Sequence, residues 1–298
     1  MDLRQLRYFL TVAQEGQVTS AAKRLNMEQP PLSRQLKLME QELGVALFDR
    51  SGKRLKLTKA GELLRQRAEQ LLLQFHETVK EVKELDEGIR GVLSIGSVVS
   101  CISLLPRRLE QFRNRYPGVI FKVREGDHFL LGELLERRSI ELIVARLPFE
   151  ATSRSSQPYS IERLPSDPFV AILPSSWCRD GSGQPSLSMR ELAEYPFLTL
   201  KTDQTIGMHE RVVKEFQQHG ATPRILCECS SVAIIIAMVA AGIGATILPK
   251  SVMASFPIPS IRMVELTDAD FYSDVGIVWL KDRYLSKSAR RFIEMFLE

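Results

Sequence analysis

Only four cysteines occur, Cys101, Cys178, Cys227 and Cys229, too few and too scattered for a disulfide framework. The close pair Cys227 and Cys229 lacks the second pair of ligands that a zinc site requires. Buried, reduced thiols are the expectation, with no metal and no cofactor. No stretch approaches the run of about 18 apolar residues that crosses a bilayer. The opening MDLRQLRYFL carries charges where a secretion signal needs an apolar core. A cytoplasmic protein without a membrane partner is expected. Catalytic signatures are missing as well. His209-Glu210 lacks the second histidine of H-E-x-x-H, Gly242-Ile243-Gly244 follows an expected helix instead of a strand, and no G-x-S-x-G occurs. No residue is assigned to catalysis or to a metal, and an enzyme is not expected.

What is present is apolar content for two or three compact units, 44% of 298 residues. The net charge of +4 is unevenly spread: residues 1–58 hold 10 Lys/Arg against 6 Asp/Glu, residues 59–90 hold 6 against 7, and the remainder 24 against 23. A basic small domain on a nearly neutral body points to a polyanion at one end.

Leu3, Leu6, Phe9, Leu10 and Ala13 recur at helical spacing up to Gly16. A second helix follows, capped by Thr19, running Ser20–Leu25 and ended by Asn26 in a left-handed conformation, with paired Ala21 and Ala22 allowing close crossing. Pro30 and Pro31 suit the start of a third, whose buried stripe is Leu32, Leu36, Met39 and Leu43. These form a helix-turn-helix at about 18–37. Segments 47–50 and 54–57 bracket the turn residues Ser51-Gly52-Lys53 as a small β-wing. Thr58 then caps a long helix to about Gly88. Its seam, Leu64, Ala68, Leu71, Phe75, Thr78, Val82, Leu85 and Ile89, alternates steps of four and three, the a/d repeat of a dimerising coiled coil. Beyond Gly91, short apolar runs alternate with amphipathic segments, which predicts an α/β domain with largely parallel sheets. Loops near 150–160 and 266–273 divide it into two lobes around a cleft.

The stretch LRQLRYFLTVAQEGQVTSAAKRLNMEQPPLSRQLKLMEQELGVALFDRSGKRLKLTKAG resembles the N-terminus of LysR-type transcriptional regulators nearly position for position. IGSVVSCISLLPRRLEQFRNRYPGV, RRSIELIVAR and VAAGIGATILP continue the likeness more loosely across the chain. The resemblance implies a winged helix-turn-helix (1–58), a dimerisation linker helix (59–89) and an effector-binding domain (90–298) with the two-lobed fold of periplasmic binding proteins. Lobe 1 would take 91–162 and 267–298, and lobe 2 would take 163–266. The partners it implies are double-stranded DNA, a small-molecule effector and the chain itself, as a dimer and as a tetramer of paired dimers, with RNA polymerase a further candidate.

In a winged helix-turn-helix the third helix lies in the major groove, its first turns facing base edges. Those turns carry Gln29, Pro30, Pro31, Ser33, Arg34 and Gln35. Arg34 suits guanine, Gln35 suits adenine, and Ser33 suits phosphate. Thr19 and Ser20 open the second helix, whose free N–H groups favour phosphate, and Arg50, Lys53 and Arg54 make the wing positive. In the effector domain, helix starts at Ser97 and Ser100, at Thr202, Thr205 and Gly207, and at Ser230 and Ser231 suit a small carboxylate or related metabolite, with Arg146 as a charged clamp. The family pattern also places Ser100, His128, Arg146, Thr202 and Met208 near effector-lining positions. Asp127 is an awkward neighbour for an anion. Two alternatives stand beside this reading. One is a redox-sensing regulator of the same family, although Cys227 and Cys229 would bridge only with strain along a strand. The other is a solute-binding protein, against which the basic helix-turn-helix argues.

Overall fold

The computed structural model describes residues 1–51, 54–87, 89–150, 158–177, 186–201, 207–255, 257–281 and 283–297. The chain forms two compact units, Met1–Asp86 and Glu87–Glu298.

The first unit begins with α1 (Leu3–Glu15), capped by Asp2 in a reciprocal box with Gln5 and ended by Gly16 in the left-handed conformation. α2 (Val18–Arg24) and α3 (Gln29–Leu43) follow, then β1 (Phe48–Asp49), β2 (Lys56–Leu57) and α4 (Lys59–Glu87). Asn26 takes φ 52°, which turns the chain tightly between α2 and α3. The cap of α2 differs from the expectation: the helix starts one residue before Thr19, with Gln17 at its N-cap. Ala21 and Ala22 are buried, so α2 lies close against its neighbours, and Phe9, Leu32, Leu36, Met39 and Leu47 fill the core. The β1–β2 ribbon, pairing Phe48 with Leu57, forms the base of the wing. Thr58 Oγ1 accepts the Gly61 N–H at 3.0 Å, capping α4 as expected. At Gly61 a Cβ would stand 2.2 Å from the Leu47 carbonyl oxygen, so this close approach of α4 to the segment before β1 requires glycine.

The expected seam of α4 divides in two. Ala68 is fully buried and Leu64 half-buried in the core of this same unit, together with Leu72, so Leu64 and Ala68 do not belong to an outward seam. Leu63, Leu71, Phe75, Val79 and Val82 are exposed instead. The first turns of the stripe face α1–α3 and the later turns face outward. The Leu85 side chain lies outside the described residues.

The second unit runs β3 (Gly91–Ser97), α5 (Leu105–Arg115), β4 (Val119–Glu125), α6 (His128–Glu136), β5 (Leu142–Arg146), β6 (Tyr159–Pro174), β7 (Ser186–Leu187), α7 (Met189–Ala193), β8 (Pro196–Leu200), α8 (Gly207–Gln218), β9 (Arg224–Cys229), α9 (Val232–Ala240), β10 (Thr246–Pro249), β11 (Ile261–Leu266), β12 (Tyr272–Leu280) and α10 (Lys287–Leu297). The strands order β4-β3-β5-β12-β6-β11-β7, with β10 also on β6 and β8 paired to β9. Pairing is mixed rather than largely parallel: β3 with β4 and β5, β8 with β9, and β11 with β7 are parallel, but β6 and β12 run antiparallel to each other, and their further neighbours β10, β11 and β5 are antiparallel to them.

The long β6 explains the difference. Its first part pairs with β12, and Phe169–Pro174 pairs with β10 and β11. The chain therefore changes lobes inside a strand, not in the loop expected near 150–160, of which 151–157 lie outside the described residues. Lobe 1 gathers around Phe112, Ile95, Leu142 and Phe292. In lobe 2, Phe169, Ala171 and Leu173 face the layer holding Phe216, while Val170 and Ile172 face α9, the alternation of a strand covered on both sides. Between Ser273 and Val275 the β6–β12 register slips by one residue. Pro165 and Ser166 occupy this bulge in β6, where a missing N–H breaks no regular ladder.

Candidate functional site

Two surfaces carry the residues singled out from sequence. On the first unit, Gln29, Pro30, Pro31 and Arg34 stand exposed on the first turns of α3, with Ser33 half-buried. Gln35 is held by α1, its Oε1 accepting from Gln5 Nε2 at 3.1 Å. Thr19 is exposed on α2, and Ser20 Oγ donates to Gln17 Oε1 at 3.4 Å. On the wing, Arg50 is paired with Glu40 at 2.9 Å, so part of its charge is taken. Lys53 lies outside the described residues. Arg34 and Arg54 are exposed, and neither has an ion-pair or hydrogen-bond partner among the described residues.

In the second unit, a cleft of about 850 Å³ lies at the junction of the lobes. Ser100, His128, Arg146, Gly207, Met208, Ser230 and Ser231 are among the residues that line it. Ser97 does not: it closes β3, is fully buried and donates to the Val98 carbonyl, because the chain reaches the cleft only from Val98 onward. Thr202 and Thr205 lie outside the described residues. The starts of α6, α8 and α9 open onto the cleft through His128, Gly207 and Val232. Asp127 caps α6 by accepting the Leu130 N–H at 2.8 Å, which sets a carboxylate against that positive helix end. Ser231 caps α9, accepting from Ile234 N–H at 3.4 Å.

Arg146 differs from the free clamp expected of it. It is 6% exposed. Its Nη1 lies 2.9 Å from Asp167 Oδ2. Nη2 donates to Ser100 O at 2.6 Å and to Ser251 Oγ at 3.0 Å, and Nε approaches Ser100 Oγ at 3.4 Å. Asp167 in turn accepts the Ser251 N–H at 3.1 Å and a short hydrogen bond from Ser251 Oγ. Arg146 ends β5 of lobe 1, Asp167 sits on β6, and Ser251 lies in the 3₁₀ turn after β10 of lobe 2, so this network joins the lobes beneath the cleft.

His128 is held neutral. Its Nδ1 accepts the Glu150 N–H at 3.1 Å, which assigns the proton to Nε2, and its ring packs 5.0 Å from Phe149. Burial pushes its pKa down to about 4, against the opposing charge of Asp127. Of the thiols, Cys101 is buried and pushed up to about 11 by that burial. Cys227 and Cys229 are half-buried instead of buried, and Cys178 lies outside the described residues.

Sequence reasoning missed Asp167, Ser251 and Ser273. Pro165 and Pro168 flank Asp167 and read as loop punctuation, and Ser251 meets Arg146 only through the tertiary fold. Strand alternation in Tyr272–Leu280 was the one signal that could have drawn attention to Ser273.

A winged helix-turn-helix in one unit and a two-lobed cleft in another define a DNA-binding regulator with an effector-binding domain. Comparison with known proteins makes this specific. The sequence pattern described as "LysR substrate binding domain" matches residues 86–298, and that described as "Bacterial regulatory helix-turn-helix protein, lysR family" matches residues 3–62. The HTH-type transcriptional regulator BsdA of Bacillus subtilis is 37% identical over 99% of this chain and 100% of its own length. The crystal structure of full-length CbnR complexed with its target DNA aligns at TM-score 0.69 and 24% identity over 100% of this chain and 99% of that one, a likeness of fold. HinK, a LysR family transcriptional regulator from Pseudomonas aeruginosa, aligns at TM-score 0.58 and 29% identity over 99% and 97%. The chain belongs to the LysR family of transcriptional regulators, which are not enzymes. Among the described residues no helix is long and apolar enough to cross a membrane.

The neutral state of His128 has a pH signature. The folded ring binds its proton more weakly than the unfolded ring, so its contribution is fully present above pH 6.5 and is lost as the pH falls towards 4. Denaturant unfolding of wild type and His128→Gln across that interval should show wild type alone losing up to about 3 kcal/mol. Parallel curves for the two proteins would contradict the assignment.

Proposed function

We propose that the chain is a cytoplasmic regulator that binds its operator through residues 1–58, dimerises through the helix within 59–89, and is controlled by a small carboxylate or related metabolite held in the domain 90–298. Arg34 on α3 and Arg54 on the wing, both exposed and without a partner among the described residues, carry the DNA-binding part of this reading. Arg34 reads a base and Arg54 neutralises phosphate, with Gln29, Pro30, Pro31 and Ser33 fixing the approach of α3. Thr19 and Ser20 hold the backbone from α2. Gln35 and Arg50 contribute less directly, since each already has a partner.

Leu71, Phe75 and Val82 form the dimer seam, a stripe on a polar helix that another copy would cover. In the effector domain, the N–H groups at the starts of α8 and α9 and the hydroxyls of Ser230 and Ser231 donate to the carboxylate. Arg146 acts by holding Ser100 rather than as a free charge. The half-buried thiols are engaged locally, Cys227 with the Glu228 carbonyl and Cys229 with Ser231, which favours a structural role over the redox alternative.

Two experiments test this reading. In a fragment ending at residue 90, Leu71→Glu with Phe75→Glu should abolish the dimer seen by sedimentation, since two charges in a buried seam cost on the order of several kcal/mol. An intact dimer would rule out the seam. In DNA titrations at several salt concentrations, Arg34→Ala should cost about 1–3 kcal/mol on the operator and relax preference at one position per half-site. Arg54→Ala should weaken operator and scrambled duplex alike and reduce the salt slope by about one. Equal weakening of both duplexes by Arg34→Ala would make it a phosphate contact.

A further inference from the structure

Ser273 lines the floor of the cleft, is 1% exposed, and its hydroxyl has no hydrogen-bond partner among the described residues. A buried hydroxyl is ordinarily satisfied, because leaving it unpaired forfeits the hydrogen bonds it makes in water. Its place follows from the fold. Ser273 stands opposite Asp167 in the β6–β12 ladder, at the edge of the bulge that Pro165 and Ser166 create. Bulges redirect neighbouring side chains, and they recur beside functional sites.

The electrostatics of this floor are settled by the same pairing. Arg146 and Asp167 both sit beneath the cleft and cancel. Arg211, a further cation on the wall, is exposed, donates to the Tyr272 carbonyl at 2.5 Å and covers the Phe169 ring. Val98, Leu147 and Val232, buried residues that line the same cleft, have no charge to offer. Lys214 lines the cleft as well, but Glu125, Asp127, Glu150 and Glu210 line it too, so a second carboxylate delivered here would lose its water among four carboxylates set against the three cations Arg146, Arg211 and Lys214.

Resting on the small-molecule reading above, we propose that Ser273 contacts the effector directly and that the floor of the cleft selects an uncharged hydrogen-bonding group, a hydroxyl or a carbonyl. The effector is then a molecule with an apolar body and at most one carboxylate, held away from this floor. The unpaired hydroxyl gives one hydrogen bond to that group, and the cancelled Arg146 charge excludes a dicarboxylate.

Calorimetry on the full chain with a matched pair of probes, 6-hydroxyhexanoate and adipate, tests this. The two differ only in whether the second end is a hydroxyl or a carboxylate. Wild type should bind the hydroxy acid at least about tenfold more tightly. Ser273→Ala should weaken the hydroxy acid about three- to tenfold, leave adipate unchanged, and leave the thermal midpoint unchanged or raised, because no protein bond is removed. Unchanged affinity for both probes in Ser273→Ala would overturn the contact, as would equal loss of both together with a lowered midpoint, the mark of a structural role. Preference of wild type for adipate would overturn the uncharged floor. Failure of wild type to bind either probe would instead overturn the carboxylate reading beneath the proposal, and it would be evident before any variant was made.

Discussion

The effector domain is built around one buried ion pair. Arg146 and Asp167 leave water together, and such a pair holds only if the remaining hydrogen-bonding capacity of both groups is met. Here most of it is met from both lobes, by Ser100 on one side and Ser251 on the other, with Asp167 on the strand that passes between them, while Arg146 Nη1 has only the ion-pair contact with Asp167. Removing either partner would leave an uncompensated charge at the junction. The pair therefore serves two ends. It fixes the spacing of the two turns that flank the cleft, and it leaves the cleft floor without net charge. The rest of the cleft lining is a set of hydroxyls, the imidazole of His128, three helix starts, an apolar wall and the charged side chains Glu125, Asp127, Glu150, Glu210, Arg211 and Lys214.

The DNA-binding unit rests on a different constraint, the double use of α4. One side of its first turns completes the core through Ala68 and Leu72, while Leu71, Phe75 and Val82 are exposed. One helix thus belongs to the fold of its own unit and presents a second apolar stripe. The basic surplus of residues 1–58 is also partly internal, since Arg24 pairs with Glu15 and Arg50 with Glu40. Arg34 and Arg54, by contrast, are exposed and have no partner among the described residues.

Much of this was legible in the residues. Helix starts and stops were readable because capping chemistry is local: Thr58 before α4, Asn26 after α2 and Gly16 after α1 each act within a few residues. Cleft residues at strand ends followed from the same logic. The unreadable parts all depend on partners distant in sequence. Asp167 looked like loop because Pro165 and Pro168 flank it, yet it continues β6 directly after the bulge at Pro165 and Ser166, paired with Ser273. Arg146 read as a free clamp because Asp167, its partner, is 21 residues away on another strand. The seam of α4 read as continuous because a heptad pattern does not record which turns the protein's own core has already taken.

A double-mutant cycle on Arg146 and Asp167, read by denaturant unfolding, tests most directly whether this pair is the joint of the domain. Arg146→Met and Asp167→Leu should each cost about 3–5 kcal/mol alone, and the double variant should recover most of that loss, since a buried pair replaced by apolar side chains leaves no charge behind. Additive losses, with the double variant as unstable as the sum of the singles, would contradict the account.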